Sequence, residues 1–282
     1  LFMTQPSLTS VVRELEKELG ITLFKRGGKG VTLTNDGAEF LQYALQVVAQ
    51  YDRLLEKYGT GGTLRKKFGI STQHYTFAVK CFVEMVKHFD TDEYEFAIRE
   101  TKTAEVIEDV TTGKSEVGIL YLSDFNRKAI GKFLKSNQLE FHPLIQCEPY
   151  VYLWKGHPLA KKKSIRLADL QNYPCLSFEQ GVSGNFYFAE EILSTYDYIR
   201  TIKATDRATM LNLMVGLNGY TLCNGIICEE LNGTDYVAIA FEAEEEEIAA
   251  GRMEIGYIVK ENMILSKLAE QYIRELRRYL KA

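Results

Sequence analysis

Two sets of residues in this chain have types and spacings suited to binding chemistry. The first lies near the start. Thr4, Gln5, Ser7, Thr9, Ser10 and Arg13 place short donors, acceptors and one guanidinium on the early turns of an expected helix. Such side chains suit base edges in a DNA groove and the phosphates beside them. Lys25, Arg26 and Lys29, with Thr32 close by, surround a glycine-rich turn whose basic tip suits phosphate contact. The second set lies at three expected strand ends: Ser71-Thr72-Gln73, Thr101-Lys102-Thr103 and Tyr121-Leu122-Ser123. Hydroxyls and free backbone N–H groups at a helix start favour an anion or a carbonyl. Thr72 and Thr103 serve equally well as plain helix N-caps, and the sequence leaves the two roles evenly matched. Glu179 and Gln180 follow another expected strand and are placed to face the same cleft.

Catalytic chemistry is not suggested. There is no Gly-x-Ser-x-Gly, no phosphate-binding loop and no metal-ligand spacing among the histidines and cysteines. No enzyme activity, metal or cofactor is therefore expected. His157 has no nucleophile or acid spaced to suit it. The five cysteines, Cys81, Cys147, Cys175, Cys223 and Cys228, are odd in number and scattered, which points to a reduced, cytoplasmic protein. Cys223 and Cys228 lie five apart and open a redox-sensor reading, against which stands the commoner role of buried structural thiols.

The elements that must position these residues are legible as periods. Thr4 is a good N-cap, and Pro6 sits in the first turn, where its missing N–H costs nothing. Leu8, Val11, Val12, Leu15 and Leu19 recur at three and four, one stripe of a helix. Gly20 is a natural stop. Ile21 to Phe24 packs back, and a β-hairpin wing spans the basic turn to Leu33. From Gly37 to Tyr58 no proline or internal glycine interrupts the chain. Leu41, Ala44, Val48, Tyr51, Leu55 and Tyr58 form a heptad seam about three heptads long, which predicts helix–helix dimerisation. Gly59 to Thr63 then forms a hinge.

Beyond the hinge the pattern alternates strand and helix: a strand ending at Ile70, a helix from Tyr75 to Phe89, a strand from Glu93 to Glu100, a helix from Thr103 to Thr112, a strand from Val117 to Tyr121. Such alternation predicts a parallel α/β sheet, with ligands at the carboxyl ends of its strands. His142 to Ile145 reads as a crossover, and Tyr150 to Trp154 opens a second lobe. There a helix is expected from Phe186 to Leu193, and another after Asp206-Arg207-Ala208-Thr209, with Thr209 as its cap. A final amphipathic helix, Ser266 to Leu280, is expected to return to the first lobe.

Length and charge set the outer bounds. At 282 residues, with 46% hydrophobic and 26% charged residues, the chain has room for two or three domains with proper cores. No apolar run approaches the roughly eighteen residues a membrane helix needs, so no membrane partner is expected. The net charge of −4 does not favour nucleic acid, but local charge matters more. In residues 1–35 five cations (Arg13, Lys17, Lys25, Arg26, Lys29) face three anions (Glu14, Glu16, Glu18), a net of +2. Compensating acid lies far off, at Glu242 and Glu244 to Glu247, as an expected solvated loop.

Three runs together carry a resemblance: Thr4-Gln5-Pro6-Ser7-Leu8-Thr9, Glu18-Leu19-Gly20-Ile21-Thr22-Leu23-Phe24-Lys25-Arg26, and Leu33-Thr34-Asn35-Asp36-Gly37. They resemble the winged helix-turn-helix of LysR-type transcriptional regulators. Ser10 and Val11 stand where that family usually has a basic or amide pair. His157-Pro158-Leu159-Ala160, Leu167 to Leu170, Tyr173-Pro174 and the stretch Met214 to Leu222 are similar to the family's effector domain, in which His157 is a turn residue. There Leu217 and Asn218 stand between two glycines, and Asn218 with Gly219 joins the candidate effector site.

The resemblance implies an α/β chain. A partial winged helix-turn-helix spans 1–36, with the family's first helix expected to be missing because the chain opens on Leu1 inside the motif. A linker and dimerisation helix with its hinge spans 37–63. A bilobal, periplasmic-binding-protein-like (type 2) effector domain follows: lobe 1 over 64–146, lobe 2 over 147–261, and a returning helix over 262–282. The implied partners are double-stranded promoter DNA, an anionic or carbonyl-containing effector, and further copies of the chain, from homodimer to homotetramer. The alternatives are a bilobal solute-binding protein without DNA function and a redox-sensing regulator acting through Cys223 and Cys228.

Overall fold

The computed structural model describes residues 5–27, 30–58, 66–89, 93–181, 186–242 and 252–281, the side chains of Gln5, Arg26, Arg53 and 55–58 excepted. The chain forms two compact units, Leu1–Gly62 and Thr63–Ala282. Thr4, Lys29, the hinge at Gly59 to Thr63 and the acidic run Glu244 to Glu247 lie outside the described residues.

In the first unit α1 (Gln5–Leu19) is followed by an antiparallel hairpin, β1 (Phe24–Gly27) and β2 (Gly30–Leu33), and then by α2 (Asn35–Tyr58). Gly20 stops α1 in the left-handed region, at φ 68°. The Ile21 N–H there donates back to the Glu16 carbonyl at 3.2 Å, the long bond of a Schellman ending. The Glu16 carboxylate accepts from the N–H groups of Leu23 (2.7 Å) and Phe24 (3.0 Å), which ties the root of the wing to the helix. Leu23 is buried. The expected stripe of α1 is not: Leu8, Val11 and Leu19 are exposed, and Val12 and Leu15 are half-covered.

The second unit holds two lobes. In the first, α3 (Thr76–Val86), α4 (Thr103–Thr112) and α5 (Arg127–Ser136) alternate with strands. The sheet contains β3 (Lys66–Thr72), β4 (Tyr94–Glu100), β5 (Val117–Leu122) and β6 (Leu139–Cys147), and its order is completed by β13 (Met253–Lys260) as β4-β3-β5-β13-β6. The pairs β3–β4 and β3–β5 are parallel, whereas β13 runs antiparallel to both β5 and β6. All six residues of β5 are buried, as a strand covered on both faces requires.

Two boundaries expected from sequence are corrected here. His142 to Ile145 is not a crossover but the middle of β6. The second lobe does not run to residue 261, because β13 already lies inside the first sheet. The alternation rule misses this strand because its partners are distant in sequence and its direction is reversed.

The second lobe holds a mixed four-stranded sheet and a two-stranded parallel one. Its strands are β7 (Tyr150–Trp154), β8 (Ser164–Ile165), β9 (Cys175–Phe178), β10 (Thr201–Ala204), β11 (Thr221–Cys223) and β12 (Tyr236–Phe241). The order β11-β7-β12-β8 is extended by the parallel pair β9–β10, joined through a bridge between Cys175 and Tyr220. Its helices are α6 (Leu167–Leu170), α7 (Arg207–Leu217) and α8 (Glu229–Asn232). The helix expected from Phe186 to Leu193 is only one 3-10 turn, Phe186–Phe188, followed by irregular chain. The final helix, α9 (Lys267–Lys281), returns to the first lobe, where the Tyr272 hydroxyl donates to the Ala78 carbonyl at 3.1 Å.

The cap of α7 is Asp206, not Thr209. Its carboxylate accepts from the Thr209 N–H at 2.9 Å and the Thr209 hydroxyl at 2.7 Å, and these bonds hold its pKa below the usual carboxylate value. Asp206→Ala is expected to cost ~1 kcal/mol, the usual loss for an N-cap. A urea titration followed by Trp154, the sole tryptophan, checks this, and an unchanged midpoint would assign the cap elsewhere.

Candidate functional site

Two surfaces stand out, one on each unit. On α1, residues Pro6, Thr9, Ser10 and Arg13 line one shallow depression, spaced three, four and seven apart so that they share a helix face. Ser7, Ser10, Arg13, Lys25 and Thr32 are exposed and Thr9 half-exposed, so the polar face reaches solvent. Lys25 and Thr32 stand opposite each other in the hairpin. The motif after the wing has a mechanical role. Thr34 donates its hydroxyl to the Thr22 carbonyl at 2.5 Å and accepts from the Gly37 N–H at 2.8 Å, capping α2 while holding the wing. Along α2, Leu41, Val48 and Tyr51 are exposed and Ala44 is half-buried. The side chains of Leu55 and Tyr58 lie outside the description.

The second surface is a cavity of about 100 Å³ between the lobes. His74, Tyr75 and Thr76 bring the carboxyl end of β3 and the start of α3 to it; Tyr152, Phe178, Arg207, Met210, Met214 and Asn232 form the opposite side. Between them runs the segment after the 3-10 turn, with Glu190 and Glu191 on the wall. Both carboxyl groups are buried. Glu190 accepts from the His74 N–H at 2.9 Å, lies 2.9 Å from His74 Nδ1, and accepts from the Gln180 amide at 2.8 Å. The His74 ring stacks on Phe178, 3.7 Å between centroids and 6° from parallel.

Glu191 accepts from the Phe178 N–H at 2.8 Å. Burial first, and then the neighbouring Glu190 charge, push its pKa up to about 8. Further bonds cross between the lobes. The Thr103 N–H donates to Gln180 at 3.1 Å, its hydroxyl donates to the Phe188 carbonyl at 2.8 Å, and the Tyr121 hydroxyl donates to the Ala189 carbonyl at 3.1 Å. Arg207 of the second lobe pairs with Glu100 of the first.

Family comparisons match both units. Residues 1–38 match the model for the bacterial regulatory helix-turn-helix protein, lysR family, and residues 75–281 match the LysR substrate binding domain. The chain belongs to the LysR family. Similar relatives include the HTH-type transcriptional regulator AlsR of Bacillus subtilis (strain 168), 30% identical over 182 residues, covering 63% of this chain and 56% of AlsR. CysL of the same organism, also an HTH-type transcriptional regulator, is 26% identical over 198 residues, covering 69% of this chain and 62% of CysL. The chain thus matches about three fifths of the length of these relatives. A solved full-length OxyR variant from Pseudomonas aeruginosa has the same fold, with a TM-score of 0.62 at 15% identity over 99% of this chain and 86% of that one.

Within this LysR-family chain the residues expected at the effector site divide. Gln73, Thr103, Tyr121 and Gln180 gather where the lobes meet. Gln73 donates to the Thr103 hydroxyl at 2.5 Å and accepts from the Tyr75 hydroxyl and the Tyr121 N–H. The others are elsewhere. Ser71 faces a buried polar cluster, bonded to Asp109 at 2.6 Å and Ser115 at 2.8 Å. Thr72 is fully buried off the cavity wall, and its hydroxyl has no partner among the described residues. Thr101 bonds Glu105, and Glu179 is exposed. Neither Thr72 nor Thr103 is a cap, because Tyr75 and Lys102 hold those positions.

Asn218 and Gly219 are also structural. Asn218 ends α7 in the left-handed region at φ 50° and accepts from the Trp154 indole N–H at 2.9 Å, while Gly219 packs tightly on Leu176. His157 is a buried turn residue, as the family resemblance implies. Its Nδ1 accepts from the Leu159 N–H, which leaves Nε2–H to donate to the Asn218 carbonyl at 3.0 Å; burial lowers its pKa.

The cavity residues that the sequence reading missed are chiefly His74 and the Glu190–Glu191 pair. An acidic pair inside the apolar run Phe188 to Leu193 was the available signal. All five cysteines are unpaired, and Cys223 lines the cavity. Desolvation pushes its thiol up to about 12, the opposite of the low-pKa thiolate that peroxide chemistry needs. Among the described residues no helix is long and apolar enough to cross a membrane.

Proposed function

We propose that this LysR-family chain is a DNA-binding transcriptional regulator whose promoter binding is modulated by a small molecule in the interlobe cavity. The observation that carries this reading is the union, in one chain, of an exposed polar and basic helix–wing unit with a two-lobed unit enclosing a cavity beside a strand end and a helix start. The reader would use residues 1–36. Double-stranded promoter DNA would be its partner, with α1 toward base edges and Lys25, Arg26 and Lys29 toward phosphates. Residues 37–63 would pair copies of the chain: the exposed Leu41, Val48 and Tyr51 of α2 suit a helix–helix seam, from homodimer to homotetramer.

The effector is read as anionic or carbonyl-containing. A molecule binding between the lobes changes their spacing only by the difference in its affinity for the two arrangements. That shift would move paired readers and alter the bend in promoter DNA. Such a regulator would work in the cytoplasm, where its DNA and effector meet.

The test is a footprint and binding titration of the chain on dyad-symmetric DNA. Affinity should fall linearly on a log–log plot against salt, because each neutralised phosphate releases counterions. Binding that ignores salt, or no binding at all, would refute the reader.

A further inference from the structure

The strand-end donors of the cleft are already satisfied by a carboxylate of the chain itself. Glu190 arrives from the second lobe and is held by the His74 N–H, by His74 Nδ1 and by the Gln180 amide. It sits where open α/β sheets bind ligands, beyond the carboxyl end of a strand and before a helix N-terminus. The mostly apolar cavity continues directly from it along Met210 and Met214. We propose that Glu190 is an internal ligand, occupying the seat that the carboxylate head of an apolar-bodied effector takes when it binds. This rests on the reading of the cavity as the effector site.

Three features support it. First, the donor set suits a carboxylate by demonstration, since it holds one. Second, the seat is provisioned for a single negative charge: Glu191 beside it is held neutral near pH 7 by burial and by the Glu190 charge. Third, the segment carrying Glu190 is the one that ties the lobes, through the Phe188 and Ala189 carbonyls to Thr103 and Tyr121. An arriving carboxylate must displace Glu190 and so loosen those ties. Displacement and lobe movement then become one event, and the internal competitor sets the effector threshold, because apparent affinity scales with the fraction of chains whose seat is vacant.

The test is calorimetric titration of the full chain with butyrate, a small apolar-bodied carboxylate, and with neutral butyramide. Glu190→Ala should bind butyrate about tenfold more tightly than the unaltered chain. Butyramide should show no comparable gain, and adding His74→Ala to Glu190→Ala should remove the gain. Glu190→Gln keeps shape and volume and should give a smaller gain in the same direction; it decides the matter if the alanine variant does not fold by Trp154 fluorescence. If butyrate and butyramide bind the altered and unaltered chains alike, the cavity is a ligand site but Glu190 is not its internal ligand. If neither probe binds any form, the cavity reading itself fails.

Discussion

Gly37→Ala should unfold the wing-bearing unit while leaving the two-lobed unit intact. Helix propensity alone gives the opposite expectation. Gly37 lies inside α2, where alanine is favoured over glycine by ~1 kcal/mol. The local packing overrules this. A Cβ at residue 37 would lie 2.1 Å from the carbonyl oxygen of Leu23 and 2.9 Å from its carbonyl carbon. Both are backbone atoms and cannot rotate away. Leu23 is also anchored on each side: its N–H donates to Glu16, and its carbonyl accepts from the Thr34 N–H at 3.0 Å. Overpacking a side-chain core costs ~1–3 kcal/mol, and a clash with pinned backbone belongs at or above the top of that range. The net effect is a loss of roughly 2 kcal/mol or more, in a unit whose helix stripe is largely exposed. Hydrogen exchange checks it: the amides of Thr34, Gly37 and Ala38, which are bonded in this structure, should lose protection, while the urea midpoint reported by Trp154 stays put. Retained protection at those amides would show that α2 can slide past the wing. The closing Leu-Thr-x-x-Gly of the family motif is thereby given a physical meaning: the threonine caps and the glycine admits the wing.

What the sequence reveals about the fold follows from how local each signal is. The helix Thr103–Thr112 and the buried strand Val117–Leu122 are dictated by their own residues, and the structure places them within a residue of expectation. Gly20 stops its helix because a left-handed residue is needed there. The strand Met253–Lys260 is different, since its place between β5 and β6 depends on partners more than a hundred residues away. The site suffers most from this. Ser71 and Thr72 alternate across the sheet, and neither side chain reaches the cavity; Ser71 turns toward Asp109. His74 and Glu190, which do meet there, are 116 residues apart. A run of hydroxyls at a strand end therefore located the cleft without identifying the groups that line it. Asn218 and Gly219 misled for a related reason: an asparagine followed by glycine marks a tight backbone position, and here the position shapes the end of α7.

Glu191 should make the two-lobed unit less stable as pH rises through neutrality, and Glu191→Gln should abolish most of that loss. Burial first, and then repulsion from Glu190, raise its pKa from the ordinary 4.5 to about 8, against the smaller opposing pull of the Phe178 N–H, its own N–H and the Lys203 charge. In the unfolded chain the proton leaves near 4.5; in the folded chain it stays until about 8. Between those values the folded state holds the extra proton, so stability falls with rising pH. The contribution is intact below about 4.5, declines across the interval and is fully lost above about 8, by an amount on the order of a few kcal/mol. Glutamine keeps an oxygen for the Phe178 N–H and carries no charge to bury. The two proteins should therefore unfold at similar urea concentrations at or below about pH 4.5, and the variant should be increasingly the more stable as pH rises to about 8. Cys223 is present in both proteins, so any pH dependence of its thiol is common to them and cannot produce the difference. Equal pH slopes for the two proteins would show that Glu191 is ionised in the folded chain. In that case two adjacent carboxylates would share one buried seat, and the lobes would have to part to let water reach them.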